Sequence, residues 1–184
     1  MFASSCDGTY YKVNLKSSLG DMGTREMYMK DSHFNWLTDS AGLKINLIKN
    51  NDGVFMIHPK QRFIAKYPKG SNRGNHLILL PGPIGDVNVF LQTMKANKVG
   101  EETVDKKKCT IYKYDESESG WKCKLWVDTK NLKPVKMLME AVKSENNITV
   151  TYEKYDACAK ISDDKFKPPK GIPIKDMPDK KENK

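Results

Sequence analysis

The chain has 184 residues, 38% of them hydrophobic and 30% charged. That is enough for one domain with its own core and too apolar for a disordered chain. Its 32 basic and 23 acidic residues give a formal charge of +9, which favours acidic partners. The lysines are scattered along the chain, with tight clusters only at Lys106–Lys108 and around Lys180–Lys181. The interleaved aromatics of RNA-binding strands are missing, so nucleic acid is not expected as a partner.

The first third reads as strands. In Tyr10–Lys16, Tyr11, Val13 and Leu15 alternate with polar residues, which is strand period. Thr24–Lys30 does the same with Met27 and Met29, His33–Leu37 with Phe34 and Trp36, and Leu43–Ile48 with Leu43, Ile45 and Leu47. Gly53–His58 is apolar on both faces and predicts a strand inside the sheet, followed by Arg62–Tyr67. Asp39-Ser40-Ala41-Gly42 and Asn50-Asn51-Asp52-Gly53 supply the turns. The loop length at Asp52-Gly53 leaves the register open. One reading turns Phe55 and Ile57 inward; the other turns Val54 and Met56 inward.

A Gly/Ser/Asn-rich loop from Lys69 and the apolar run "LILLPGPIG" then interrupt the pattern. The predicted helix, about Asp86–Asn97, follows. Asp86 is a suitable cap, and Val87, Phe90, Leu91 and Met94 recur at helical spacing as one apolar stripe. A lone stripe must be buried, and the sheet is the only large partner. Strands resume at Lys107–Tyr114, Trp121–Val127, Lys133–Ala141 and Ile148–Tyr155. Phe166 is expected to anchor the closing segment, and Pro168-Pro169 to end ladder pairing. The pattern predicts one domain over residues 1–177 and a disordered basic tail over 178–184. Its class is mainly β (α+β): a strongly curved antiparallel sheet, or unclosed barrel, of about ten strands with one or two helices on the concave face.

No run of about 18 apolar residues occurs, so no membrane-spanning helix is expected. "MFASSCDGTYY" is too short for a signal peptide and reads as the start of a mature exported chain. The four cysteines, Cys6, Cys109, Cys123 and Cys158, form no CxxC pair. Two disulfides suit export, and Cys109–Cys123 with Cys6–Cys158 is the pairing favoured, because the first two flank one hairpin. Four reduced thiols, or a lipidated Cys6 in "ASSC", remain open alternatives.

Catalytic signals are lacking. His33, His58 and His76 show no metal spacing, no GxSxG elbow or phosphate-binding glycine loop occurs, and no carboxylate pair stands out. The expectation is no catalytic residue, no metal and no cofactor. Nine methionines, with Phe and Trp on the strands, point instead to an adaptable apolar interior. Asn147-Ile148-Thr149 matches a glycosylation sequon by coincidence.

Four segments carry a resemblance: "VGEETVDKKKCTIYKY" (99–114), "KLWVDTKNLKPVKMLMEA" (124–141), "ITVTYEKYD" (148–156) and "DDKFKPPKGIPIKDM" (163–177). The residues concerned are Gly100, Glu102, Val104, Cys109, Tyr112, Trp126, Val127, Asp128, Pro134, Val135, Lys136, Tyr152, Phe166, Pro169 and Gly171. In that order they resemble the C-terminal half of the LolA-like superfamily of bacterial envelope proteins, whose namesake carries lipoproteins across the periplasm. The N-terminal half, "MYMKDSHFNWLTD" with "NNDGVFMIHPKQRFIAKYP", also resembles the superfamily, so the match spans about residues 10–177, and it is nearer to uncharacterised members than to the carrier. This chain begins almost directly on a strand, has Lys107 where the family often has Gly, and has no counterpart of the carrier's gating arginine.

The resemblance implies a sheet curled around an apolar cavity. It also implies a non-catalytic, extracytoplasmic binding protein for a lipid acyl chain or lipoprotein. A structural or assembly protein with a self-filled cavity is the alternative. The expected cavity lining is Phe34, Trp36, Ile45, Leu47, Phe55, Ile57, Phe90, Leu91 and Met94. The protein is expected to be a monomer, with its positive charge favouring peripheral contact with anionic membrane surfaces.

Overall fold

A computed structural model describes residues 6–72, 82–116 and 120–178. Six strands lead the chain: β1 (Gly8–Ser17), β2 (Gly20–Lys30), β3 (His33–Ser40), β4 (Leu43–Asn50), β5 (Gly53–Ile57) and β6 (Ile64–Tyr67). The helix α1 (Val87–Thr93) follows, then β7 (Asn97–Val104), β8 (Lys107–Glu116), β9 (Trp121–Asp128), β10 (Pro134–Ala141), β11 (Asn147–Ala159) and β12 (Ile174–Asp176). Among the described residues all twelve strands belong to one sheet, in the order β12-β6-β5-β4-β3-β2-β1-β11-β10-β9-β8-β7. The sheet is two antiparallel meanders joined where β1 pairs with β11. It curves but does not close, since β7 and β12 remain its two edges.

The expectation of about ten antiparallel strands is met in kind and exceeded in number. Asn97–Val104 leaves the helix pattern for a strand, and β12 pairs parallel to β6, Ile174 opposite Ile64. The proline pair therefore does not end ladder pairing. It lies in the stretch between the one-turn 3-10 helix at Asp163–Phe166 and β12, and the Pro173 carbonyl then accepts from the Ile64 N–H at 2.8 Å. Phe166 is buried beside Ala159 and Ile161, and the Asn35 and Asn50 amides donate to the Lys165 and Phe166 carbonyls.

Strand periodicity sorts the side chains into two faces. The concave face carries the main core: Tyr11, Val13 and Leu15 of β1, Met27, Trp36 and Leu47, then Tyr114, Leu125, Met137, Val150 and Tyr152 from the second meander. The outer face carries small separate clusters, such as Ile48–Phe55–Ile64 and Cys109–Trp126–Val135. The β4–β5 loop decides which of these faces β5 serves. Asn50 pairs with Gly53, so the loop is Asn51-Asp52, two residues long. Gly53 has φ +142°, and a Cβ there would collide with the Tyr67 carbonyl, so glycine is required. That loop sets Leu47 opposite Met56. Val54 and Met56 then point to the core, while Phe55 and Ile57 point outward, against the inward placement expected for them.

The cysteines divide. Cys6 and Cys158 form a disulfide, because β1 starts where antiparallel β11 ends, Gly8 opposite Ala159. A bonded Cys6 offers no thiol for lipidation. Cys109 and Cys123 are free and buried. On adjacent strands, Cys109 faces Asp128 while Cys123 faces Tyr114. Five residues of offset at about 3.4 Å each put them roughly 17 Å apart along the ladder, too far for a bond. They also belong to different faces of the sheet.

Candidate functional site

The concave face and its helix form the candidate site. Asp86 caps α1: its carboxylate accepts from the Asn88 and Val89 N–H groups at 2.8 and 3.0 Å. The helix ends after seven residues, at Thr93, earlier than the expected Asn97. Lys95 adopts φ 49°, and the Ala96 and Lys95 N–H groups turn back to the Leu91 and Gln92 carbonyls. This is a Schellman stop with lysine in the position glycine usually fills. Val87 and Leu91 are buried, and Phe90 and Met94 pack partly buried against the core. The Phe90 ring meets Tyr114 edge to face at 5.3 Å, and the Tyr155 hydroxyl donates to the Gly85 carbonyl ahead of the helix. The stripe read from the sequence thus lies on the sheet. The run "LILLPGPIG" lies mostly outside the described residues, as do His76 and 179–184 of the expected tail.

Of the expected lining residues, Phe34, Trp36, Ile45, Leu47, Phe90, Leu91 and Met94 come together on the concave side. Ile45 shares that face by register, opposite Thr38. The layer is tightly filled: Val13, Leu47, Leu125, Met137 and Val150 have 0% exposure. Burial falls towards one end of the first meander. The row Met27–Trp36–Leu47 is buried, whereas the next row on the same face, Arg25–Thr38–Ile45, is half-buried.

That second row holds a residue that was not anticipated. The Arg25 guanidinium lies over the Trp36 ring at 5.6 Å, and its Nε is buried with no hydrogen-bond partner. No carboxylate among the described residues pairs with it. Burial pulls its pKa below the ordinary arginine value, with Tyr11 nearby working in the opposite direction. The neighbouring Glu26 is directed to the other face and accepts from the Tyr10 and Tyr28 hydroxyls at 2.8 and 2.6 Å. One signal for Arg25 was in the sequence. It shares strand parity with Met27 and Met29, so it is a charge written in phase with the apolar face.

Chemistry at the thiols is disfavoured. Burial pushes the Cys123 thiol up to about 12 and raises Cys109 as well. The Tyr114 hydroxyl donates to the Met137 sulfur at 3.2 Å, closing the space beside Cys123. Among the described residues no cluster of His, Cys, Asp and Glu is arranged to hold a metal ion, and no helix is long and apolar enough to cross a membrane. Grooves of 470 and 500 Å³ occur elsewhere. The first includes Lys12, Glu26, Leu37 and Asn46, a row of the outer face with mixed charge; the second is largely polar, with Asn14, Lys16, Asp21 and Thr151.

No family model matches the sequence, and no curated protein does. Solved structures do match the fold. An uncharacterised conserved protein from Thermus thermophilus aligns at a TM-score of 0.58 with 8% identity, covering 95% of this chain and 93% of that one. MucB aligns at 0.52 with 12% identity over 94% of this chain, which spans 61% of MucB. At these identities the likeness is one of fold. A LolA superfamily protein, NE2245 from Nitrosomonas europaea, is also among the structural neighbours, with 13% identity over 89% of this chain and 91% of that one. Its TM-score is 0.39.

Proposed function

We propose that this protein is a non-catalytic binding protein of the bacterial cell envelope that holds a lipid acyl chain, free or on a lipidated protein, against the concave face beneath α1. The observation that carries this reading is the cover itself. A continuous apolar layer rich in Met and aromatic side chains is closed by a seven-residue helix. Such a helix is too short to be stable by itself. It stays because Val87, Phe90, Leu91 and Met94 fill the space above the sheet. An acyl chain replaces those side chains when the helix swings away. Burying each CH₂ contributes about 0.8 kcal/mol, so 14–16 carbons supply roughly 10 kcal/mol before the costs of binding and of moving the helix. The Cys6–Cys158 disulfide supports an oxidising, extracytoplasmic compartment.

The complete burial of Val13, Leu47, Leu125, Met137 and Val150 favours a second reading, an envelope assembly protein whose interior is filled by its own side chains. Native mass spectrometry of protein purified from a bacterial host separates the two. The first reading expects co-purified lipid adducts that disappear on delipidation and return with added fatty acid. A single unadducted mass under both treatments supports the second.

A further inference from the structure

We propose that Arg25 is the headgroup contact of this site, selecting single-chain amphiphiles with an anionic head, carboxylate or phosphate, over neutral ones; this rests on the acyl-chain reading above. Three observations place it there. First, Arg25 stands where burial falls off along the first meander: the neighbouring row Met27–Trp36–Leu47 is buried, whereas its own row with Thr38 and Ile45 is half-buried. A chain that crosses the buried row in the direction of β2 sets its head at that boundary. Second, the guanidinium has an aromatic face against it and an unmet N–H, with no anion from any described residue. Leaving a charge partly desolvated and unpaired is costly, so a protein that keeps one there gains only when an anion arrives. Third, the nearby acids are already engaged elsewhere. Glu26 binds two tyrosine hydroxyls, Asp39 faces Lys44 at 3.7 Å, and Asp21 accepts from the Gly23 N–H at 2.8 Å. A guanidinium suits either oxyanion, since its fork of donors matches both carboxylate and phosphate.

The test is isothermal titration of the full chain with laurate, dodecyl phosphate and 1-dodecanol. The wild type is expected to bind the two anions about tenfold or more tighter than the alcohol, the scale of one charge-assisted hydrogen bond. Arg25→Met is expected to bring all three to the alcohol's affinity and, by removing an unpaired charge, to raise the melting temperature of the ligand-free protein. Arg25→Lys is expected to keep part of the anion preference and serves where the Met variant fails to fold. Inorganic phosphate or acetate alone should not displace laurate. Equal affinity for all three amphiphiles in the wild type, a preference that survives in Arg25→Met, or displacement by inorganic phosphate overturns the headgroup assignment while leaving chain binding intact. If none of the three binds, the acyl-chain reading falls and this inference falls with it.

Discussion

Cys109 and Cys123 lie on adjacent strands and yet cannot meet, which turns two apparent disulfide partners into buried hydrophobes. Their thiols are protonated in the fold, with Cys123 held up to about 12 by burial. Ellman's reagent at pH 8 should therefore find no fast-reacting thiol in the native protein and two after denaturation. Rapid native labelling would contradict the packing described for both sites. The other pair behaves differently. Cys6–Cys158 closes a loop with a sequence separation of 152. On the chain-entropy model, Cys6→Ser costs about 5 kcal/mol, read as a lowered urea midpoint. The two pairs also show what is legible one residue at a time. Spacing suggested that Cys109 and Cys123 flank a hairpin, as they do, but the separation along the ladder is set by register, which spacing does not encode. Arg25 was overlooked for a related reason. Strand parity gives the face a side chain occupies, but an unpaired charge is recognised only when every nearby acid has been located.

Among the elements, α1 shows most directly how local sequence and tertiary packing share control. Its start was readable because Asp86 offers a capping carboxylate just ahead of the apolar stripe. Its end was not, because Lys95 is an ordinary helix residue by propensity, and here adopts φ 49°. Lys95→Gly removes the left-handed strain and should stabilise the protein by about 0.5–1 kcal/mol, the usual difference for this conformation. Asp86→Ala removes the cap and should cost about 1 kcal/mol. Chemical denaturation measures both, and a destabilised Lys95→Gly would mean that the lysine side chain contributes more than its backbone costs. The β4–β5 hairpin makes the complementary point. The apolar pattern of β5 is compatible with either face, and only the two-residue loop closed by Gly53 puts Met56 rather than Phe55 towards the core. The strand edges were hardest to read. β7 is largely exposed and charged, as suits an edge strand that must not recruit another sheet. β12 is three residues long and lacks any apolar alternation.

For the molecule as a whole, a filled interior of this composition predicts sensitivity to alkali. Burial is the main cause that raises Tyr11, Tyr114, Tyr152 and Tyr155 above the ordinary tyrosine value, and Cys123 rises to about 12. In the unfolded chain these groups lose their protons at ordinary values, near 8.5 for a thiol and 10 for a phenol. Between those values and the folded ones, the native state holds more protons than the unfolded state, so stability falls as pH rises. The stabilisation is complete below about pH 8.5 and is lost progressively towards pH 12. Urea midpoints measured from about pH 7 to 11 should hold level at first and then decline steadily, with the absorbance of ionised Tyr11, Tyr114, Tyr152 and Tyr155 appearing only as the fold is lost. If the interior is a site that an acyl chain can enter, saturating laurate should raise the urea midpoint across the whole pH range, because a ligand bound only by the native state adds to its stability. A protein whose core is closed for good would show the same decline with and without laurate. One titration therefore asks both whether the tyrosine-lined interior is sealed from water and whether the helix over it opens to a lipid.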